Sequence, residues 1–372
     1  MKTGKRIVTA VCTIVLAATA LLGSGCGKKE AGTIMEQYEG KVAVTINDKK
    51  VMMPDVMYQI FGTEINGNYY DSFYQTYYGM SFWDQSYTDE ETGETMSMRD
   101  YLREQTMEGI VMQEVLAMQA EKEGISLDED EIAEYQAEIT SLLEQIGTEE
   151  EEDSFAYIGF TKENLEEQFQ VMALGAKYYG MLEESFDIDE EAIRAEMNYE
   201  DYREYVTEYL FAPTVEYDDE YNMVALAEEE LEKNQSVMEE ALALVKEGKD
   251  FETIVAELVE NGDIATSTLS FTKDDLSAED EYIDAAMTLA VGECTEIVET
   301  EYGFYIIKLT DDESQAAYEE AVTEAVETKL SEAVLAKYEE IKAGYTVTVN
   351  NEVWDALVFG NVTIQEEEAA EE

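Results

Sequence analysis

The sequence predicts an α+β protein in which long amphipathic helices outnumber short strands. Three observations carry this. Five segments, near 98–123, 128–146, 162–185, 218–247 and 314–343, place apolar residues three and four apart, the repeat of a helix with one buried face. Strand-like runs with period-two alternation stand near both ends, at 42–46 and 345–349. A second pair of strand-like segments, 206–212 and 296–309, encloses two of the helical stretches.

Taken in order, Val42, Val44 and Ile46 alternate with polar residues, Asn47-Asp48 is a turn signal and Val51-Met52-Met53 follows, which predicts a hairpin. Pro54 is suited to start a helix carrying Val56, Tyr58, Ile60 and Phe61. Residues 58–87 then hold an unusual density of Tyr, Phe and Trp. Such rings serve equally as rigid contacts for unfolded chains, with an apolar face and a polar tip, or as the core of a small lobe. The helix at 128–146 is expected to start from a capping box, Ser126-x-x-Glu129, and the one at 162–185 after Thr161. Between these two, 148–153 is a charge run expected to be a solvated loop; no D-x-D-x-D-G pattern supports a calcium site.

Residues 187–205 read as helical and lead into the strand 206–212. A long helix is expected over about 218–247, ended by Gly248, and a short one over 251–259. Glu296 to Leu309 reads as two strands joined at Glu301-Tyr302-Gly303. In the final helix Val322, Val326, Leu330, Val334, Tyr338 and Ile341 form a single apolar stripe, and Gly344 ends it. Residues 365–372 are an acidic tail.

Charge and composition exclude whole classes of function. The 372 residues hold 87 Asp and Glu against 23 Lys and Arg, a formal charge of −64, and no histidine. Such a chain will not track a phosphate backbone, so no nucleic-acid partner is expected. Without imidazole there is no Ser-His-Asp or Cys-His hydrolysis and no His-ligated zinc; neither metal nor cofactor is expected. With 45% hydrophobic residues the chain is nonetheless foldable.

The first residues read as an address. Lys2, Lys5 and Arg6 precede an uncharged apolar run, Ile7 to Leu22, and then Gly23-Ser24-Gly25-Cys26, the layout of a secretory signal. The run is shorter than the ~20 residues of a membrane-spanning helix. Leu22-Gly23-Ser24-Gly25-Cys26 resembles a bacterial lipobox, with Gly23 where Leu is usual. That resemblance implies cleavage after residue 25, lipid on Cys26, a tether over 26–40 and a location on the extracytoplasmic face of the bacterial membrane. Cys12 would leave with the signal, so Cys294 alone would remain and no internal disulfide is possible.

Several dispersed motifs point to one family. Gly248-Lys249-Asp250-Phe251 matches a G-x-D-F turn, 284–293 (DAAMTLAVGE) matches E-x-A-x-F-x-L-x-x-G-E, and 300–309 (TEYGFYIIKL) matches T-x-x-G-[YF]-H-I-I-K. In this order they resemble the parvulin (PpiC-type) peptidyl-prolyl isomerases, and the flanks resemble the PrsA/SurA foldases. The resemblance implies a discontinuous, mostly helical, SurA-N-like chaperone domain (41–200, with 313–364 returning to it) and an inserted parvulin-like domain (201–312), a small antiparallel sheet packed by helices. It implies unfolded or exported polypeptides as clients; oligomeric state is not encoded in any motif. The active-site positions of the family fall at Tyr209, Asn261, Thr300 and Tyr305, and its proline pocket at Leu276, Tyr282 and Met287. Both histidines of the family are tyrosines here, Tyr209 and Tyr305. Tyrosine titrates near 10, so the pair supplies no ionisable network near neutral pH. Rotation about X-Pro, with a barrier of roughly 18–20 kcal/mol, is helped by gripping the ring and desolvating the imide, which needs no general base. Packing under a degenerate site and a weakened, tyrosine-tuned rotamase both remain open, as does an active isomerase. A reading of another class, an acidic surface lipoprotein that binds a solute or cation, predicts a two-lobed α/β fold, and the chain lacks repeated βα alternation.

Overall fold

The computed structural model describes residues 33–89, 93–147, 155–218, 222–261, 263–273, 275 and 278–364. The signal, Cys26, the charge run 148–153, Leu276 and the acidic tail lie outside them. The chain divides into two compact units, Met1–Asp187 with Leu330–Glu372, and Ile188–Lys329.

The described part of the first unit opens with a helical turn, Ile34–Gln37, capped by Thr33, whose Ile34 and Met35 are buried in the core, so the expected tether is structured from residue 33. A hairpin follows, β1 (Val42–Ile46) and β2 (Lys49–Met52), turned at Asn47 with φ 53°, a left-handed conformation that Asn tolerates. Pro54 lies in a 3₁₀ turn, and α1 (Met57–Tyr78) follows. This helix runs through Gly62 and Gly67, residues that disfavour helix. At Gly67 a packing demand explains it: a Cβ there would lie 2.2 Å from the Trp83 ring. The first half of α1 is buried and its second half faces solvent. A hairpin, β3 (Ser86–Thr88) and β4 (Thr95–Ser97), leads to α2 (Met98–Lys122).

Helix α3 (Glu129–Ile146) is capped two residues later than expected. Asp128, not Ser126, accepts from the Asp130 and Glu131 N–H groups, and Glu131 accepts from the Asp128 N–H. A carboxylate at the N-cap also favours the helix dipole. Helix α4 (Lys162–Ser185) starts at the expected cap, Thr161.

In the second unit, 187–205 is not one helix. It forms a seven-residue helix, α5 (Glu190–Glu196), a 3₁₀ turn and the first residues of β5 (Glu204–Pro213). The helix expected from 218 begins ten residues later. Val215–Tyr217 (β6) and Met223–Ala225 (β7) pair first as an antiparallel hairpin. Then come α6 (Glu228–Lys246), α7 (Phe251–Leu258), β8 (Ala265–Thr272), α8 (Asp280–Met287), β9 (Val298–Glu299) and β10 (Gly303–Ser314). The sheet is antiparallel, ordered β8-β5-β10-β9. Its two faces are both covered, as strand alternation requires. Leu210, Ala212, Phe304 and Ile306 pack under α6 and α7. The intervening residues, among them Tyr209, Tyr305 and Ile307, face α8.

Helix α9 (Ala316–Lys342) continues into the remaining residues of the first unit. There Val334 and Tyr338 are buried, and β11 (Val347–Val349) pairs with β1 through Val44↔Val349 and Ile46↔Val347. Among the described residues no helix is long and apolar enough to cross a membrane.

Candidate functional site

The α8 face of the second sheet gathers three of the sequence-identified positions. Tyr209 on β5 and Tyr305 on β10 come together because Tyr209 pairs with Ile307, and Tyr305 with Phe211, in the strand register. Their rings stand 5.5 Å apart at 65°. Tyr282 comes down from α8 to meet both, 5.8 Å from Tyr209 and 5.2 Å from Tyr305, nearly perpendicular to each. Edge-to-face pairs of this kind contribute about 0.5–1.5 kcal/mol beyond area burial. Phe211 and Phe271 extend the ring cluster on either side.

Tyr282 is 1% exposed, and its hydroxyl lies 2.7 Å from Thr207 Oγ1. Thr207 donates to the Leu269 carbonyl, so it is the acceptor of the Tyr282 proton. Burial, followed by lesser effects of neighbouring groups, pushes the Tyr282 phenol well above its ordinary value. Tyr305 shifts the same way, first through burial and then through the negative charge of Glu279. Both phenols therefore stay neutral well into alkaline pH.

Thr300 is buried at the turn before β10. Its backbone N–H and hydroxyl tie the turn to Gly303, and the hydroxyl donates to Glu279 Oε1 at 2.8 Å. Glu279 sits at the N-cap of α8, yet makes no capping bond; its carboxylate locks the helix that carries Tyr282 to the Thr300 turn. Gly303 is required there, since a Cβ would meet the Phe211 ring at 2.2 Å and the Ala212 carbonyl at 2.6 Å.

Two expected positions stand apart. Asn261 is exposed in the turn after α7, whose apolar face packs on the opposite side of the sheet, and no hydrogen bond links it to the tyrosines. Met287 ends α8 at 39% exposed. Leu276 lies outside the described residues. Thr207, Phe271 and Glu279 are the members that motif matching passes over. Period-two spacing from Tyr209 marks Thr207, and the cap position before 280 marks Glu279. Among the described residues no group of three or more acidic or cysteine side chains is arranged to hold a metal ion.

In this unit, a four-stranded antiparallel sheet with helices on both faces, residues 199–324 match the family model described as the PPIC-type PPIASE domain. No curated protein matches the chain. Among solved structures it is similar to PrsA from Bacillus subtilis, at 17% identity over 70% of this chain and 92% of that one, with a TM-score of 0.24. Foldase protein PrsA from Streptococcus pneumoniae aligns at 16% identity over 73% and 97%, TM-score 0.28. A SurA-like chaperone from Campylobacter jejuni aligns at 9% over 83% and 99%, TM-score 0.30.

Proposed function

We propose that the chain is an exported, membrane-anchored foldase that holds polypeptides emerging outside the membrane and limits their aggregation. In this reading a helical chaperone domain (about 41–200 with 313–364) works beside a parvulin-like domain (about 201–312) of weak or degenerate isomerase activity, and Cys26 carries the lipid anchor. The observation that carries the reading is the cluster of Tyr209, Tyr282 and Tyr305 on the α8 face of a PPIC-type domain. These rings stand at positions the family resemblance assigns to its active site and proline pocket, and Tyr282 and Tyr305 are held neutral by burial. In this reading the half-buried rings of Tyr209 and Tyr305 and the exposed Met287 meet a bound X-Pro, with Tyr282 and Thr300 buried behind them as support. Desolvation favours the twisted, less polar imide, so a slow rotamase is chemically sufficient without proton transfer; Asn261 is not needed for it.

The test uses residues 27–372, which contain both units. Cis/trans relaxation of a proline peptide is followed in one assay and aggregation of an unfolded client in another. Relaxation within a few-fold of the uncatalysed rate, with aggregation suppressed, is the expected result. Rapid relaxation would replace degeneracy with an active isomerase, and failure to slow aggregation would sink the foldase reading. Fatty-acid labelling of the full chain, abolished by Cys26→Ser, is expected for the anchor; label that persists in the variant would reject it.

A further inference from the structure

The second half of α1 carries an apolar face that its own unit does not bury. Tyr69, Tyr70, Phe73, Tyr74, Tyr77 and Tyr78 are spaced one, three, one, three and one apart, which puts them on one side of a helix. The opposite side is polar, with Asp71, Ser72, Gln75 and Thr76. Tyr70, Phe73 and Tyr77 are 52%, 44% and 70% exposed. Phe73 and Tyr77 stand 4.6 Å apart, Tyr74 and Tyr78 5.4 Å, so the rings form a ladder. Tyr69, Tyr70, Phe73 and Tyr74 line, with Phe82, an open groove of about 440 Å³, and Tyr77 and Tyr78 continue the row beyond it.

The ladder is rigidly mounted. Asp71 accepts from the Ser81 hydroxyl and the Phe82 N–H at 2.6 and 2.7 Å, and the Trp83 indole donates to Asn68 at 2.8 Å. These bonds fold the segment after the helix back onto it. A fixed row of rings loses little entropy on binding.

Charge decides what the row accepts. From residue 51 to 98 there are eight Asp or Glu and no Lys or Arg. The next cation, Arg99, is committed to Asp84 and to the Phe359 carbonyl. Exposed ring faces carry negative quadrupole potential and attract ammonium and guanidinium groups. A second copy of the chain, itself at −64, is opposed by long-range repulsion.

We propose that this aromatic ladder is the capture site for extended polypeptide segments that alternate apolar side chains with Lys or Arg. The proposal rests on the foldase reading for its biological sense, and it adds the site and the class of client sequence. Apolar side chains lie between the rings, while the cations sit over ring faces and toward the acidic surround.

The test titrates residues 27–372 against a fluorescent twelve-residue peptide alternating Lys with Phe or Leu, and against a control with Glu for every Lys. The triple variant Tyr70→Ser, Phe73→Ser, Tyr77→Ser changes exposed rings only, and an unaltered thermal melt checks its fold. The expected result is binding of the basic peptide that weakens at least tenfold in the variant, at least tenfold for the acidic control, and with added salt. Equal binding by wild type and variant, equal binding of the two peptides, or no binding of either overturns the proposal. So does a wild-type dimer that the variant abolishes in sedimentation, which would make the ladder a self-association face. Ring-dependent capture on neutral phosphatidylcholine vesicles without peptide binding would make it a membrane face. If the variant suppresses client aggregation as well as wild type, the site is wrong and the foldase reading stands. If wild type itself suppresses nothing, the foldase reading falls and the peptide titration still decides the ladder.

Discussion

Glu64 offers a sharp test of how the first unit holds together. It is fully buried on α1 and accepts four hydrogen bonds from one short segment near the C-terminus. The N–H groups of Gly360 and Val362 point to Oε1 at 2.6 and 2.9 Å; the N–H and hydroxyl of Thr363 point to Oε2 at 2.7 and 2.5 Å. Glu64→Ala strands three backbone donors. Each buried unsatisfied donor costs about 1–3 kcal/mol, against which the relieved desolvation of the carboxylate is a gain, so a net loss of about 3–5 kcal/mol is expected. At about 2–4 °C per kcal/mol for a unit of this size, the melting temperature falls by roughly 6–20 °C. The chain's two tryptophans, Trp83 and Trp354, are both buried in this unit, so urea unfolding followed by tryptophan fluorescence reads it directly. Glu64→Gln keeps one acceptor but aims an NH₂ at donors, and should lose about 1–3 kcal/mol. Burial, only partly offset by the four donors, holds the Glu64 carboxyl above its ordinary value. The native state therefore binds this proton more tightly than the unfolded state. The resulting stabilisation is complete below the ordinary carboxyl range and is lost as pH rises through the raised value. The wild-type margin over Glu64→Gln should accordingly shrink with rising pH and then level off. A loss under about 1 kcal/mol for Glu64→Ala, or a margin that grows with pH, would refute the reasoning.

The second unit supplies further checks. Gly303→Ala forces a Cβ into the Phe211 ring and should cost about 1–3 kcal/mol by overpacking, read by urea unfolding in far-UV ellipticity; a neutral effect would mean the strands are loosely packed there. Thr207→Val removes the acceptor of the buried Tyr282 hydroxyl and should cost about 1–3 kcal/mol, while adding Tyr282→Phe should recover most of it; additive losses would contradict the bond. Because the Tyr282 and Tyr305 phenols are raised, they stabilise this unit below about pH 10 and that contribution is lost as pH rises further. Tyr282→Phe should therefore soften alkaline unfolding, and an unchanged profile in ultraviolet-monitored titration would argue against the burial effect. Residual isomerase activity should not vary between pH 6 and 9, since no phenol of the pair titrates there; a bell-shaped profile would require another group.

Much of the architecture was legible because periodicity is a local property. The hairpin at β1–β2, helices α2, α4 and α9 and the stop at Gly344 follow from apolar spacing and end signals that act within a few residues. Errors fell where two local signals competed. Ser126 and Asp128 both can cap, and the aspartate prevails because its carboxylate reaches two N–H groups at once. The segments 187–205 and 218–227 are acidic and helix-compatible, yet a local hairpin takes Met223–Ala225 and only a short helix and a 3₁₀ turn form before the strand at Glu204. At the candidate site, motif order located Tyr209, Tyr282, Thr300 and Tyr305; the motifs do not name Thr207 and Glu279, and the hydrogen bonds that give them roles are tertiary.

The sequence alone determined the absence of histidine, the −64 charge and the tyrosines at two motif positions, and these fix which proton chemistry is possible. It also determined the aromatic spacing along α1. Tertiary structure decided that the three tyrosines meet edge to face, that Glu64 gathers four donors from a segment about 300 residues away, and that the aromatic row of α1 faces outward. A helical repeat states which residues share a face. What that face meets depends on elements far along the chain, and only their packing settles it.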